Sequence, residues 1–197
     1  GSFSYNKSSG RQLIGKERTT TDWSSDVKNL TVYKNKLYFS ALDELNETHL
    51  WSFNGLSEDP NNIRPVQNSY VSYPENLIVH KDKLYFSGQI EDQNDLIWEY
   101  DGFNQPQHFS DSFALNSLTE VCEYQDQLFF ASNNYSTLDY ELWATKGDQL
   151  AAILGDSILY RQTAPRDLLV YKGALYFVLK SYFFGEEIWK YDGENLT

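Results

Sequence analysis

Methionine is missing from the 197 residues, and cysteine occurs once, as Cys122. A lone cysteine cannot close an intramolecular disulfide, so packing must hold the fold and the redox compartment stays open. Cys122 sits in an apolar strand pattern and reads as a buried, inert thiol. Positive charge is scarce: 16 Lys and Arg stand against 28 Asp and Glu, a net charge of -12. A phosphate-tracking groove needs clustered cations to displace counterions, so nucleic acid is excluded as a partner. No apolar run approaches the roughly 18 residues that span a bilayer, and no membrane insertion is expected. Catalytic signatures are also wanting, with no G-x-S-x-G elbow, no P-loop and no H-E-x-x-H. The three histidines, His49, His80 and His108, fall at different repeat positions, which argues against a metal–histidine centre. Gly1-Ser2 reads as a tag remnant, and the missing Met as a chain cut from a longer precursor.

What the sequence does have is aromatic residues, 16% of the chain, in 15 Tyr, 12 Phe and 5 Trp. Flat side chains suit a pleated surface, and 41% apolar content is enough for a core, so the expected class is all-β. Leu37-Tyr38-Phe39, Leu84-Tyr85-Phe86, Leu128-Phe129-Phe130 and Leu175-Tyr176-Phe177 recur at intervals of 47, 44 and 47 residues. Trp51, Trp98, Trp143 and Trp189 follow in step, each trailed four positions later by Gly55, Gly102, Gly147 or Gly193. These are four copies of one unit.

In the second copy, residues 76–80 read as a strand, Lys81-Asp82 as a tight turn and Lys83 to Gly88 as the antiparallel partner. Leu96 to Tyr100 follows as a third strand, then the turn Asp101-Gly102 and a fourth strand near Gln107 to Ser110. Lys146-Gly147 departs from the Asn-Gly and Asp-Gly turns and predicts a looser connection. Apolar residues on both faces of the first strands, such as Leu77, Val79 and Ile78, require neighbours on both sides. Twisted sheets stacked around an axis meet that need, and about 45 residues suits one four-stranded blade. The predicted architecture is a single four-bladed β-propeller with blades at 27–67, 74–111, 118–154 and 165–193, an open solenoid being the rival. The fourth copy stops soon after Gly193. Residues 10–15, after a tail at 1–9, are therefore expected to supply its last strand and remove a free edge.

Asn29-Leu30-Thr31-Val32-Tyr33 with Lys36-Leu37-Tyr38-Phe39-Ser40-Ala41, and Glu141-Leu142-Trp143-Ala144-Thr145, resemble the bacterial ELW-x-x-DGT repeat family. Glu187-Ile188-Trp189 with Asp192-Gly193 comes near the motif, His49-Leu50-Trp51 loses its acid, and no copy keeps the motif whole. The count of four repeats is also similar to hemopexin domains, though their pattern is not matched residue by residue. The resemblance implies a scaffold in an exported or cell-surface protein, here a monomeric domain of a larger chain, with no shared catalytic residues.

The leading residues of the innermost strands, Asn29, Asn76, Glu120 and Asp167, would ring one mouth of a central channel and hold a cation or a water through oxygen. The alternative is strand-start capping by local hydrogen bonds. Glu123 replaces the valine of the other copies, Val32, Val79 and Val170, and must be wet, paired or tuned. Connectors carry Trp23, Tyr70 with Tyr73, Phe113 and Tyr160. Exposed on one face these rings would bind a glycan or a protein; buried, they would pack between blades. The loops with Asp43, Glu44, Glu47, Glu91, Asp92, Asp95, Asn133, Asn134, Glu186 and Glu187 fit no calcium loop and read as solvated tips. Five N-x-S/T sequons read as chance composition. No cofactor is expected beyond the channel cation. The leading expectation is a non-catalytic binding module. A structural scaffold is the alternative, and a glycoside hydrolase using Glu120, Glu123 and Asp167 is the second.

Overall fold

The computed structural model describes residues 26–43, 45–55, 63–66, 71–90, 96–109, 115–134, 140–154, 161 and 163–197. Every regular element among them is a strand, and none is a helix. The first sheet runs β1 (Lys28–Tyr33), β2 (Lys36–Leu42), β3 (Thr48–Phe53), β4 (Ile63–Pro65). The second runs β5 (Ser72–His80), β6 (Lys83–Gln89), β7 (Leu96–Tyr100), β8 (Gln107–His108). The third holds β9 (Leu115–Tyr124), β10 (Gln127–Asn134), β11 (Tyr140–Lys146) and β12 (Gln149–Ala152). The fourth has three strands, β13 (Arg166–Tyr171), β14 (Ala174–Ser181) and β15 (Gly185–Tyr191). Spatial order follows chain order in each, so each repeat is a meander. The backbone divides into two compact units, Gly1–Asp92 with Glu99–Gln107, and Gln93–Trp98 with His108–Thr197.

The first hairpin of every sheet turns on two residues with left-handed backbone: Lys34-Asn35 (φ 45° and 58°), Lys81-Asp82 (46° and 58°), Gln125-Asp126 (49° and 60°) and Lys172-Gly173 (47° and 76°). Two positive φ angles in succession match the strand twist, which fixes a register that puts the Leu-aromatic-Phe run on the second strand. Neighbouring residues on a strand point to opposite faces, so the consecutive burial of Tyr38 with Phe39, Tyr85 with Phe86 and Phe129 with Phe130 means both faces are covered. Each such ring contributes roughly 1.5–3 kcal/mol by leaving water.

Several expectations need correcting. The looser connection predicted at Lys146-Gly147 is a tight one: Lys146 pairs with Gln149 across Gly147-Asp148. Glycine at φ 63° is the first central residue, the arrangement a two-residue turn favours. Asp101-Gly102 is in turn a longer loop, closed by the Asp101 carboxylate, which accepts from the Phe103 and Asn104 amides, each at 2.8 Å. Cover on both faces fails for two first strands. Thr31 and Tyr33 reach the second sheet, which leaves Leu30 and Val32 on the opposite face, 61% and 71% exposed. Leu169, on the face opposite the packed Leu168, is 63% exposed. The end of the chain also takes up part of the fourth sheet's outer edge. Lys190 and Thr197 exchange two backbone hydrogen bonds of 2.7 and 2.8 Å, and Leu196 bridges Tyr191. The closing strand expected at 10–15 lies outside the described residues.

Candidate functional site

The four inner-strand leaders divide into two kinds. Asn29, Asn76 and Asp167 have φ of 56°, 54° and 57°, each inside a register shift against the second strand. A bulge residue in the left-handed region favours Asn and Asp, whose short polar side chains tolerate it, which accounts for the residue types without any ligand. Asn29 Nδ2 donates to Ser40 Oγ at 3.0 Å, and Ser40 Oγ donates to the Lys28 carbonyl at 3.3 Å. Asn76 repeats this on Ser87 at 3.2 Å, and Ser87 on the Glu75 carbonyl at 3.2 Å.

In the third and fourth sheets the serine's place is taken by Ala131 and Val178, and the polar residues turn to one another. Glu120 accepts from the Asp167 amide through Oε1 and from the Leu168 amide through Oε2, both at 2.9 Å. One carboxylate thus ties β9 to the bulge that opens β13. Asp167 is exposed and paired with Arg166, which also meets Glu186 Oε1 at 2.9 Å. The arrangement uses charged oxygen to satisfy backbone amides that the bulge takes out of the ladder.

Glu123 is exposed on β9, opposite Leu128. Its valine counterparts Val32 and Val170 are also exposed and Val79 is half-buried, so an exposed carboxylate at 123 carries little burial cost. Cys122 is half-buried beside it. Burial, and then the Glu120 charge, push its thiol up to about 12, which keeps it protonated at neutral pH.

Of the five connector aromatics, Trp23, Tyr70, Phe113 and Tyr160 lie outside the described residues. Tyr73 is 54% exposed, with φ of 53°. Two features do not show in the sequence. Glu141, a motif letter there, is buried in β11; its Oε1 accepts from the Leu142 and Leu154 amides at 3.0 and 2.7 Å, and its Oε2 faces Arg161 at 3.5 Å. This acid holds the chain leaving β12 against its own sheet. The loop joining β2 and β3 gathers Asp43, Glu47 and His49, with ligand atoms within 4.8 Å of one another. Comparing copies hides this trio, because His49 aligns with Leu96, Glu141 and Glu187 and so looks like a lost acid.

No family model matches the chain, and no curated protein does. Among solved structures, an α-L-arabinofuranosidase from Clostridium thermocellum is similar at 14% identity and a TM-score of 0.41, covering 82% of this chain and 66% of its own. A family 117 glycoside hydrolase from the marine bacterium Zobellia galactanivorans is similar at 11% identity and 0.44, covering 87% and 67%. The chain spans about two thirds of the length of each. Both are enzymes, and this corrects the expectation of a non-catalytic binding module recognising glycan or protein through a connector face, of whose five aromatics only Tyr73 is placed. Likeness this distant transfers neither an activity nor a substrate.

Proposed function

We propose that the four repeats are the four blades of a β-propeller and that the chain serves as a structural scaffold of an exported or surface protein. The observation that carries this reading is the Glu120 carboxylate, whose two oxygens each accept a backbone amide of the neighbouring inner strand at 2.9 Å. A residue so engaged joins strands, and Asn29 and Asn76 are likewise bonded to Ser40 and Ser87 of their own sheets. Location follows from the ELW-x-x-DGT resemblance alone. The test is to pair melting curves with activity: in a scaffold, Glu120→Ala lowers the melting temperature, and the unaltered chain turns over no chromogenic glycoside.

One arrangement favours a second reading, a glycoside hydrolase. The same hydrogen bonds bring two acidic residues, Glu120 and Asp167, together at the start of successive inner strands, and glycoside hydrolysis uses a carboxylate pair. Glu123 is the third candidate, exposed to solvent. An aryl α-L-arabinofuranoside is the first substrate to try. Turnover that is abolished in Asp167→Asn while the melting temperature holds would establish this reading and displace the scaffold.

A further inference from the structure

We propose that Asp43, Glu47 and His49 form a binding site for a divalent late transition metal, zinc above all, on the loop between β2 and β3. His49 Nε2 lies 3.4 Å from Asp43 Oδ2 and 3.6 Å from Glu47 Oε2. Both separations exceed the usual N–H···O range of about 2.7–3.2 Å, so neither is a well-formed hydrogen bond. They are close to the spacing of roughly 3.3–3.5 Å that separates neighbouring ligands on a tetrahedral ion bound at about 2.0–2.2 Å. The two edges that meet at His49 thus match those of a zinc site, and the ligand atoms of all three residues lie within 4.8 Å of one another.

The loop holds these ligands ready. Asp43 Oδ1 accepts from the Leu45 and Glu47 amides at 2.7 and 2.9 Å, which turns Oδ2 toward His49. Outer bonds of this kind orient a ligand and are a regular part of metal centres. The Asp43 amide donates to the Glu47 carbonyl at 2.8 Å and Asn46 takes φ of 64°, folding the loop so that Glu47 returns beside Asp43. His49 is on β3, paired with Ala41, and is therefore a rigid anchor. Asp43 and His49 are about three-quarters buried, and Glu47 is exposed, so an ion can enter from its side.

Donor chemistry selects the metal. Two carboxylates balance a divalent charge, and imidazole nitrogen favours zinc, cobalt or nickel over calcium and magnesium, which prefer oxygen alone. The site is confined to the first repeat, since the position of His49 is Leu96, Glu141 and Glu187 elsewhere.

The experiment is titration of the full chain with zinc chloride against a chromophoric chelator, and with cobalt chloride read by visible absorption. One zinc ion per chain is expected, together with the intense cobalt bands of four-coordinate geometry. His49→Leu, which places there the residue of the second repeat, should weaken zinc by about a hundredfold. Its metal-free melting temperature and circular dichroism should match those of the unaltered chain, which separates a lost ligand from a lost fold. Asp43→Asn should weaken zinc while leaving one hydrogen-bond-accepting oxygen for the loop. Equal zinc affinity in His49→Leu and the unaltered chain, or affinity for calcium as great as for zinc, would overturn the proposal.

Discussion

Tyr33 donates its phenolic hydrogen to the carbonyl oxygen of Asp82, 2.6 Å away and 49 residues along the chain. In the second unit Tyr124 does the same to Gly173 at 2.8 Å, again 49 residues on. The next contacts repeat as well. Lys34 Nζ reaches the Asp101 carbonyl and Gln125 Nε2 the Asp192 carbonyl, each across 67 residues. Tyr38 meets Tyr100 edge-on at 5.9 Å, and Phe129 meets Tyr191 at 5.9 Å. Each unit therefore joins its two sheets by one scheme, in which a residue at the end of the first strand bonds the hairpin turn of the following repeat.

Removing one hydroxyl from this scheme leaves a carbonyl without its donor. Tyr33→Phe and Tyr124→Phe should each cost about 1 kcal/mol in denaturant unfolding. They share no partner, so the double variant should lose the sum.

Two turn glycines allow a controlled comparison. A Cβ on Gly193 would fall 2.5 Å from Gln125 Oε1 at φ of 106°, whereas one on Gly55, at φ of 82°, would meet nothing within 4 Å. Both alanine variants pay the backbone strain, roughly 1–2 kcal/mol. Gly193→Ala should cost about 1 kcal/mol more, because Gln125 must give up its bonds to Tyr124 and the Asp192 carbonyl. Thermal melts of the two variants side by side check the order.

Acid should act through the turn carboxylates. The Asn104 and Phe103 amides hold Asp101 below its usual pKa, and the Asn195 and Glu194 amides do so for Asp192. A carboxyl with a depressed folded pKa contributes stability that is complete above the unfolded value, about 3.9, and is lost as pH falls through the folded value. Asp101→Ala and Asp192→Ala should therefore be less stable than the unaltered chain at pH 7. The difference should shrink as unfolding is measured below about pH 4.

The period of the Leu-aromatic-Phe runs was legible because burial on both faces of a middle strand admits few residue types. The hairpin at Lys81-Asp82 was legible for a local reason, two polar residues between two apolar strand patterns. Equivalent positions are not equally buried, which a repeat pattern does not show. Glu123, expected to be wet, paired or tuned, is exposed, as Val32 is at 71%, whereas Val79 is half-buried. For Asn29 and Asn76 the sequence offers both channel ligands and strand-start caps, because their left-handed backbone does not show in it. Their serine partners lie 11 residues on, across a register shift that periodicity cannot reveal. The Asp43–Glu47–His49 cluster depends on a loop that turns Glu47 back beside Asp43, and loops are where the repeats differ.

Cys122 gives a readout of the folded state. With its thiol pushed up to about 12, it should react with a disulfide reagent at pH 8 at least about tenfold more slowly than in the unfolded chain, the lost thiolate fraction outweighing the higher nucleophilicity of the thiolate that remains. Reaction in the native protein at the unfolded rate would mean that β9 is open at that point.

The scaffold reading stands most directly on the Glu120 clamp, and amide hydrogen exchange resolved to Asp167 and Leu168 measures it. Both amides should be protected in the unaltered chain and should exchange at least tenfold faster in Glu120→Ala, while the β14 amides stay protected. Free exchange at Asp167 and Leu168 before any substitution, or protection untouched by the loss of the carboxylate, would contradict it.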